Sequence, residues 1–420
     1  MNLYLFNDNN IASVFGIGTY IRELVSALES SDIHIHIIHL HSNRSKFEIE
    51  KTNGIELNSV ENWYIPKVCD GSISFNSIQN IEDYCRNVLY FLRLYIPEDT
   101  KDLIFHFNYN QYQWLAKELK TVFDCKTVTT LHFIKWQLEM NGNLSRFRSL
   151  RSKTKDQMNS LEQSLFITDE YETLLFKEVD KVIVLSQDMK IFLCNENKIK
   201  PDKIVVIPNG LTDTNLVQVN TKANLRKKWH FTANEFLILF AGRLHTVKGL
   251  LYLIRAFRKV LTTIPNCRLI IAGNGNFDTY LQEAKETCTK IIFTGLLKKN
   301  DLYELYKVAD IGVVPSLYEP FGYVAVEMMM HEMPVVATMT SGLNEVMDNT
   351  CGIKIPIKEL PDIKAIDIDL LAEKIIYLLQ NPIEAKLLGK NARKRYQEKY
   401  SIPIFRDNML DFYSFLFQDK

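Results

Sequence analysis

Two carboxylates separated by a sharp turn are the residues of this chain best placed to do chemistry. Glu319 and Glu327 lie eight positions apart, and Pro320-Phe321-Gly322-Tyr323 directly follows the first of them. The largely apolar residues 309–314 before them predict a buried parallel strand, and residues 324–330 predict a helix. Open parallel sheets bind ligands at such a junction, where a strand ends and a helix begins. Because each carboxylate can accept hydrogen bonds from hydroxyl groups, the pair suits a polyhydroxylated ligand.

Two cations at a second strand-to-helix junction predict an anion site. Gly242-Arg243 follows the apolar residues 236–241, and Lys248-Gly249 opens the next helical pattern. A guanidinium matches phosphate oxygens with a planar fork, an ammonium adds a point charge, and the free N–H groups of a helix start attract anions. His245 lies between the two cations and is expected to face solvent. The alternative is a solvated basic turn that binds nothing.

Composition excludes several classes of protein. The chain has 420 residues, of which 46% are apolar and 24% charged, and its formal net charge is zero. These values predict a globular protein of two or three domains and show no bias toward nucleic acid. Seven scattered cysteines without a CxxC pair indicate reduced thiols. Since the sequence shows neither a signal peptide nor a membrane-spanning run, we expect a soluble cytoplasmic protein.

Short apolar runs alternate with helical patterns along the chain, which is typical of α/β proteins. In the first half the predicted strands are residues 3–6, 34–40, 103–107, 126–131 and 181–185. In the second half they are residues 236–241, 268–272, 290–294, 311–314 and 334–337. Helical spacing links them, and the clearest case is the shared face of Leu250, Leu253, Ile254 and Phe257.

A turn-rich segment divides the chain into two halves. Residues 207–215, followed by a polar run to Lys222, are the best candidate for a linker. We therefore predict two doubly wound domains that meet at a cleft, residues 1–215 and residues 216–398. Residues 399–420 predict a helix that packs back on the first domain. The aromatic residues that suggest this packing are Phe405, Phe412, Tyr413, Phe415 and Phe417.

Four short motifs occur in order over residues 236–346. They are Phe240-Ala241-Gly242-Arg243-Leu244 with Lys248-Gly249, Ile271-Ala272-Gly273-Asn274-Gly275, Phe293-Thr294-Gly295, and the motif with two glutamates. Each motif alone is weak, but together they make the chain resemble the family 4 retaining glycosyltransferases. The resemblance extends over nearly the whole chain. It implies the GT-B fold, in which two Rossmann-like domains face each other across a cleft, with the acceptor bound by residues 1–215 and the nucleotide-sugar donor by residues 216–398.

The resemblance also implies a role for individual residues. Arg243 and Lys248 would hold the donor diphosphate and stabilise it as it leaves. Glu327 would accept hydrogen bonds from the donor ribose, and Glu319 would face the hydroxyl groups of the donor sugar. The other donor-binding positions that it implies are Gly16, Gly18, Gly242, Gly273, Gly275, Gly295, Phe321, Gly322 and Tyr323. Ser341-Gly342 stands where the family often has paired glycines, a difference that bears on donor selectivity.

In the first half, the resemblance points to one histidine. His132 follows the predicted strand 126–131, and family members place a histidine near this point, beside the transferred sugar. The acid that often follows in the family is replaced by Phe133. The alternative is a core histidine whose hydrogen bonds are satisfied within the fold.

Three further patterns have simpler explanations. Four histidines crowd residues 34–41, and a strand with polar edges accounts for them better than a metal site. Asp367-Ile368-Asp369 looks like a metal-binding DxD motif, but a helix cap is the better account. Enzymes with the GT-B fold do not generally need a divalent metal, so the resemblance implies neither a metal nor a cofactor. The basic segment Arg146–Lys155 has two interpretations. One is a solvated helical face or a mobile loop. The other is a weak peripheral contact, either with anionic lipids at the inner face of a membrane or with an acidic acceptor.

The implied function is transfer of a sugar from a nucleotide-sugar donor to an acceptor hydroxyl, with retention of the anomeric configuration. The enzyme would be a hexosyltransferase in the biosynthesis of glycans, polysaccharides or glycoconjugates. Its acceptor would be a carbohydrate, a lipid-linked saccharide, a peptide or a small molecule. Two alternatives are a nucleotide-sugar epimerase of GT-B type and a non-catalytic sugar-binding protein on the same fold. The retained cations and glutamates disfavour both.

Overall fold

A computed structural model describes residues 1–8, 16–53, 59–67, 78–214 and 221–418. The chain folds into two compact units, each built from separate stretches of sequence. The first unit contains Met1–Lys135, Lys153–Gly210 and Ile402–Lys420, and the second contains Trp136–Ser152 and Leu211–Ser401. The boundary predicted between residues 215 and 216 lies outside the described residues.

The segment Trp136–Ser152 belongs to the second unit, although the predicted first domain, residues 1–215, included it. The physical reason is its packing on side chains and backbone of the second half. The Tyr318 hydroxyl donates to Gln137, and Asn143 Nδ2 donates to the backbone oxygen of Leu360 at 3.0 Å. Such contacts join residues about two hundred positions apart, so no local pattern indicates them.

The part of the first unit that the structure describes contains one eight-stranded sheet. Its strands are β1 (Asn2–Asp8), β2 (His34–Ser42), β3 (Glu48–Asn53), β4 (Ser59–Pro66), β5 (Leu103–Phe107), β6 (Cys125–Leu131), β7 (Lys181–Val184) and β8 (Ile204–Val206). They are ordered β3-β4-β2-β1-β5-β6-β7-β8, and only the β3–β4 pair among them is antiparallel.

A six-stranded parallel sheet forms the centre of the second unit as described. Its strands are β9 (Phe236–Ala241), β10 (Cys267–Ala272), β11 (Ile291–Gly295), β12 (Ile311–Val314), β13 (Val335–Thr338) and β14 (Ile353–Ile355). The order β11-β10-β9-β12-β13-β14 is that of a Rossmann fold, with a reversal between β9 and β12. A separate antiparallel hairpin consists of β15 (Ile357–Glu359) and β16 (Lys364–Ile366).

Helices cover the sheets and complete the α/β architecture that the sequence predicts. In chain order they are α1 (Gly16–Leu28), α2 (Ile78–Tyr95), α3 (Gln113–Val122), α4 (Lys135–Glu139), α5 (Leu144–Ser152), α6 (Ser160–Glu178), α7 (Gln187–Asn195), α8 (Lys222–Lys228), α9 (Leu250–Thr263), α10 (Asp278–Glu283), α11 (Lys299–Val308), α12 (Tyr323–Met330), α13 (Ser341–Val346), α14 (Ile368–Gln380), α15 (Pro382–Lys399) and α16 (Ile402–Phe415). None of them, within the described ranges, is long and apolar enough to cross a membrane.

The strands of the second unit form because they are continuous apolar runs that can be buried on both faces, as parallel sheets require. Every residue of β12 and β13 is buried, and in β9 only Phe236 is exposed. Helix α9 covers the sheet with the face predicted from its spacing, and Leu250, Leu253, Ile254 and Phe257 are all fully buried.

The C-terminal helix α16 follows the second unit in sequence but belongs to the first. It packs beside α1, where the rings of Phe405 and Tyr20 meet edge to face with centroids 5.9 Å apart. Deeper in the unit, the Tyr413 hydroxyl lies 2.7 Å from His106 Nδ1, and both residues are fully buried. The helix is therefore part of the core of the first unit.

The two patterns that resembled metal sites have structural partners. Asp367 caps α14, since its Oδ1 accepts hydrogen bonds from the N–H groups of Asp369 and Leu370, which confirms the predicted cap. On β2, His36 contacts Glu61 at 2.9 Å and His39 contacts Asn62 at 2.9 Å. No three His, Cys, Asp or Glu side chains come together as a metal cluster anywhere in the described ranges. Independence from metals stays a prediction.

Candidate active site

The loops that follow β9 and β12 lie at the point where the strand order of the second sheet reverses. In open α/β sheets this switch point forms a crevice outside the carboxyl ends of the strands. The loop 242–249 carries Arg243 and Lys248, and the loop 315–322 carries Glu319. We call these two segments the switch-point loops. The structure therefore brings the two cations and the first carboxylate of the sequence motifs to one edge of one sheet.

Lys248 and Glu319 form an ion pair across the switch point. Lys248 Nζ lies 2.5 Å from Glu319 Oε2, and the two side chains are only 20% and 14% exposed. Ser316 Oγ donates a second hydrogen bond to the same carboxylate oxygen at 3.3 Å. Glu319 is therefore held in one orientation from two sides, and Lys248 is held toward it.

A single turn of 3-10 helix, Thr246–Lys248, positions the lysine. His245 caps this turn, because its Nδ1 accepts a hydrogen bond from the N–H of Val247 at 3.3 Å. His245 is half-buried rather than simply facing solvent. Burial lowers its pKa, and the positive charges of Arg243 and Lys248 lower it further while Glu139 opposes them. Both cations therefore act on one histidine, which places them in one electrostatic environment.

Gly249 permits the close approach of the two switch-point loops. Its φ is +66°, and a Cβ atom built on it would lie 1.8 Å from the backbone oxygen of Pro315. Only glycine fits both constraints, the left-handed backbone and the contact. Beside it, the N–H of Leu317 donates to the oxygen of Val247 at 2.7 Å. The backbones of the loops are thus in direct contact.

The second loop is also fixed from the side of β13. Thr338 Oγ1 donates to the backbone oxygen of Ser316 at 2.5 Å, and Thr340 Oγ1 donates to that of Leu317 at 2.9 Å. Both threonines are buried. Because buried hydrogen bonds in such a network resist exchange with water, the loop that carries Glu319 is a rigid element.

Glu327 lies on the second turn of α12 and is 9% exposed. Its Oε2 accepts a hydrogen bond of 2.8 Å from the hydroxyl of Tyr306, which lies on α11. Burial, and then the negative charge of Glu327, raises the pKa of Tyr306 well above its ordinary value, so the hydroxyl stays protonated and donates. Sequence reasoning did not identify Tyr306, since a tyrosine in a helical pattern carries no signal of its partner.

The start of α12 offers backbone rather than side-chain contacts. The ring of Phe321 is buried, with edge-to-face neighbours in Tyr323 at 5.4 Å and Tyr400 at 5.8 Å. Phe321 and Gly322 can therefore contribute through their N–H groups, while Tyr323 begins the helix. Free N–H groups at a helix start suit anionic or hydroxylated ligands.

Four predicted glycines lie together along the neighbouring strand ends. The N–H of Gly242 donates to the oxygen of Ala272 at 2.9 Å, and that of Gly273 donates to the oxygen of Gly295 at 2.9 Å. Gly275 is bridged to Leu244 in the same direction. At Gly273 a Cβ atom would lie 1.8 Å from the oxygen of Gly242, so a side chain there would separate the loops. These turns extend the edge of the sheet beside the switch-point loops.

In the first unit, His132 lies at the end of β6 and contacts Asn108, the residue after β5. Asn108 Nδ2 donates to the oxygen of Phe6 at 3.2 Å, which turns its Oδ1 toward His132 Nε2 at 3.1 Å. His132 Nε2 therefore carries the proton, and Nδ1 carries the lone pair. Burial lowers the pKa of His132 to about 3, so the ring is neutral at pH 7. Gly16 and Gly18 form the first turn of α1 in the same unit.

Two neutral histidines, the buried His106 and the half-buried His132, predict a pH-dependent stability of the first unit. Burial lowers the pKa of both His106 and His132 to about 3, below the value of about 6.5 expected in the unfolded chain. Between these values the unfolded state binds more protons, so the free energy of unfolding falls as the pH falls below about 6.5, by up to about 1.4 kcal/mol per pH unit for each histidine. Urea denaturation at pH 7.5, 6.0 and 5.0 measures this slope.

His132→Gln isolates one contribution, because glutamine keeps an N–H donor toward Asn108 but does not titrate. Below about pH 6.5 we expect this variant to lower the slope of unfolding free energy against pH by up to about 1.4 kcal/mol per pH unit, which corresponds to one proton fewer taken up on unfolding. Glu172 acts in the opposite direction, since burial raises its pKa to about 8, and it contributes equally to both proteins. His34→Gln, at an exposed position of β2, is the matched control. An unchanged slope in His132→Gln would contradict the assignment of a neutral histidine with a lowered pKa.

Two family matches together cover most of the chain. Residues 14–214 match the family described as Glycosyltransferase Family 4, and residues 221–395 match Glycosyl transferases group 1. The chain belongs to the family 4 glycosyltransferases. This membership confirms the family that the four motifs indicate, while retention stays a prediction, and the two matches meet near the predicted linker.

Sequence relatives of this glycosyltransferase match it over part of their length. An uncharacterized glycosyltransferase of Methanocaldococcus jannaschii is 36% identical over 238 residues, which are 55% of this chain and 58% of that protein. The lipopolysaccharide 1,2-N-acetylglucosaminetransferase of Salmonella typhimurium is 29% identical over 52% of this chain and 61% of its own. The chain thus spans little more than half the length of these relatives.

Solved structures with the same fold match over the full length. Sucrose-phosphate synthase of Thermosynechococcus elongatus has a TM-score of 0.78 at 21% identity and covers 100% of both chains. A glycosyltransferase of Rickettsia africae has a TM-score of 0.70 at 18% identity and covers 100% of this chain and 99% of its own. The glycosyltransferase therefore has the GT-B architecture that the sequence predicts.

Proposed function

We propose that this glycosyltransferase transfers a hexose from a nucleotide-sugar donor to an acceptor hydroxyl with retention of the anomeric configuration. The observation that carries the proposal is the meeting of Lys248 and Glu319 at the switch point of the second sheet, 2.5 Å apart. A cation for phosphate and a carboxylate for sugar hydroxyls then lie where a Rossmann-like sheet binds nucleotides. Its relatives include a lipopolysaccharide 1,2-N-acetylglucosaminetransferase and a mannosylfructose-phosphate synthase.

In the proposed mechanism, different residues bind different parts of the donor. Arg243 and Lys248 neutralise the charge that develops on the diphosphate as the bond to the sugar breaks. Glu319, held by Ser316, orients the hydroxyl groups of the sugar, and the N–H groups of residues 321 and 322 add donors. Glu327, held by Tyr306, accepts hydrogen bonds from the ribose. The four glycines at the neighbouring strand ends let the backbone approach the nucleotide.

His132 and the glycines of α1 are the residues of the first unit that take part in the proposal. The neutral ring presents Nδ1 as an acceptor, which suits a hydroxyl group of the transferred sugar or of the acceptor. Gly16 and Gly18 lie in the first turn of α1, and the free N–H groups of a helix start suit the leaving phosphate. We propose a carbohydrate, lipid-linked or peptide acceptor and no requirement for a metal or a cofactor.

A donor screen tests the proposed activity. The protein is incubated with UDP-, GDP- and ADP-linked hexoses, and release of the nucleoside diphosphate is measured with and without EDTA. We expect release with one donor base, at the same rate in EDTA. Water takes the hexose when no other acceptor is present, and a proton NMR spectrum recorded before mutarotation should show an α-configured hexose from an α-configured donor. An epimerised donor without released diphosphate would indicate the epimerase, and binding without turnover would indicate a sugar-binding protein. An inverted anomer would contradict retention alone.

The basic segment supports a separate proposal of membrane contact. Helix α5 buries Phe147 and Leu150, while Arg146 and Arg148 are exposed. We propose that this exposed face contacts anionic lipid headgroups, each cation near the surface adding about 1 kcal/mol. Sedimentation with vesicles containing phosphatidylglycerol measures the contact. Arg146→Glu with Arg148→Glu is expected to lower the bound fraction, and equal sedimentation of both proteins would reject the proposal.

A further inference from the structure

A cavity of about 270 Å³ lies at the edge of the second sheet opposite the switch-point loops. Three of its residues define this position, because Phe236 begins β9, Ile311 begins β12 and Pro334 directly precedes β13. The amino ends of parallel strands share one edge of a sheet, while the switch-point loops follow the carboxyl ends. We call this space the amino-edge cavity. Its volume is close to the lower end of the range for small-molecule sites, about 300–1,000 Å³.

The wall of the amino-edge cavity combines apolar surface with positive charge. Leu378, Leu379, Met333 and Ala385 are buried side chains of the wall, and Phe236 is an aromatic residue there that is 36% exposed. Small-molecule sites have this composition, with mostly apolar walls and a few polar groups.

Three lysines and two acids line the same cavity, which leaves one net positive charge. The lysines are Lys222, Lys307 and Lys386, and the acids are Asp310 and Glu332. Asp310 is already neutralised, since Lys222 lies 2.8 Å from it and Arg226 lies 2.7 Å from it. Lys307 and Lys386 are therefore the cations that can meet an anionic group.

His331 contributes a polar atom that the fold does not use. Its Nδ1 lies 2.8 Å from the backbone oxygen of Glu327, so Nδ1 carries the proton and Nε2 carries the lone pair. Nε2 is buried and has no hydrogen-bond partner within the part of the chain that the structure describes. Burial lowers the pKa of His331 to about 4, with Lys307 and Arg393 contributing, so the ring is neutral at pH 7. A buried acceptor without a partner is rare in folded proteins.

Two residues of the wall also hold Glu327. Tyr306 lines the cavity and donates its hydroxyl to Glu327 Oε2, and His331 lines the cavity and bonds to the backbone of Glu327. Helix α12 joins the two edges of the sheet, because it begins after Gly322 and ends at His331, about 12 Å further along its axis. A ligand that moves the rings of Tyr306 and His331 would therefore move the carboxylate of Glu327.

We propose that the amino-edge cavity is a second small-molecule site, which takes an amphipathic anion and changes the affinity of Glu327 for the nucleotide. The ligand has an apolar body for the wall of leucine, methionine and phenylalanine, and a carboxylate, sulfate or phosphate head for Lys307 and Lys386. The binding half of the proposal stands on the cavity alone. The regulatory half rests on the proposed function, in which Glu327 binds the donor ribose.

Titration calorimetry with octanoate, below its micelle concentration, tests the binding half. We expect one saturable site, weaker binding of the neutral analogue octanamide, and loss of binding in Ala385→Leu, which fills the cavity. Lys307→Gln is expected to raise the Kd about two- to fivefold, while Lys285→Gln, an exposed lysine of the same unit outside the cavity, leaves it unchanged. The site would be overturned if octanoate gave no saturable heat, or if Ala385→Leu and Lys307→Gln both bound octanoate as tightly as the unsubstituted protein.

Nucleotide binding tests the regulatory half. The Kd of the nucleoside diphosphate that the donor screen identifies is measured with and without saturating octanoate. We expect a change of at least about threefold, an equal reciprocal effect of the nucleotide on octanoate, and loss of both effects in Tyr306→Phe with octanoate binding retained. Octanoate binding without any change in nucleotide affinity would overturn the coupling. If no nucleotide binds at all, the proposed function fails, and the octanoate titration still decides whether the cavity is a site.

Discussion

Replacing Lys248 with methionine is expected to lower kcat by about 10²–10³-fold, the usual effect of removing one preorganised group that stabilises charge in the transition state. Methionine keeps much of the apolar stem and removes only the ammonium. The ammonium lies at the carboxyl ends of β9 and β12 and is held toward Glu319 at 2.5 Å, so it is positioned before the donor arrives. Arg243→Ala is expected to act in the same direction. Initial rates of nucleoside diphosphate release measure both effects.

Stability must be measured beside the rates, because Lys248→Met also removes the ion-pair partner of a poorly exposed carboxylate. Glu319 keeps the hydrogen bond from Ser316, so we expect the free energy of unfolding to fall by about 1–3 kcal/mol. This loss is too small to unfold the protein. Lys259→Met is the matched control, since Lys259 pairs with the exposed Asp369 on α14 in the same unit. Near-normal turnover in both Lys248→Met and Arg243→Ala would reject the assignment of the anion site.

Gly249→Ala is expected to destabilise the second unit by about 3–5 kcal/mol. Point mutations cause losses of this size only when they strain the backbone or disrupt packing severely. Two separate costs add. A left-handed backbone costs an ordinary residue about 1–2 kcal/mol. In addition, the new methyl group would lie 1.8 Å from the oxygen of Pro315, which must move and take the second switch-point loop with it. Thermal unfolding followed by circular dichroism measures the loss.

Gly295→Ala separates these two costs. Gly295 has a φ of +71°, close to the +66° of Gly249, but a Cβ atom there has no neighbour within 4 Å. This variant should therefore show the backbone cost alone, about 1–2 kcal/mol. Equal losses in the two variants would mean that the contact with Pro315 costs nothing and that the two loops are not packed as described.

The sequence predicted the central strands well because parallel strands buried on both faces are continuous apolar runs. All ten predicted strands are present, with ends shifted by at most two residues, and β12 agrees in both ends. Most of the strands that were missed are short or polar, and β4, with eight residues of mixed character, is the exception. The strand β3 has the sequence Glu-Ile-Glu-Lys-Thr-Asn at the edge of its sheet, and β14 has only three residues. Such segments form because a neighbouring strand offers them a partner, which no local pattern reveals.

The candidate site was predictable in its parts and not in its contacts. The motifs indicated Arg243, Lys248, Glu319 and Glu327, because each lies at a strand-to-helix junction. The pairing of Lys248 with Glu319, 71 positions apart, depends on β12 lying beside β9, which is a property of the sheet and not of either segment. Tyr306 and Ser316 escaped notice for the same reason. The placement of Trp136–Ser152 in the second unit likewise follows from contacts with residues that come much later in the sequence.

The return of α16 to the first unit has a consequence for the order in which the protein is made. His106 and its partner Tyr413 are 307 positions apart, so the histidine is synthesised long before the tyrosine. Until α16 emerges from the ribosome, the core of the first unit is incomplete, and His106 and the rings around it lack their packing partners. Incompletely folded domains expose apolar surface, and they are prone to aggregation until the missing element is made. Helix α16 completes the first unit, so a chain that the ribosome releases before α16 is made lacks part of the core of that unit.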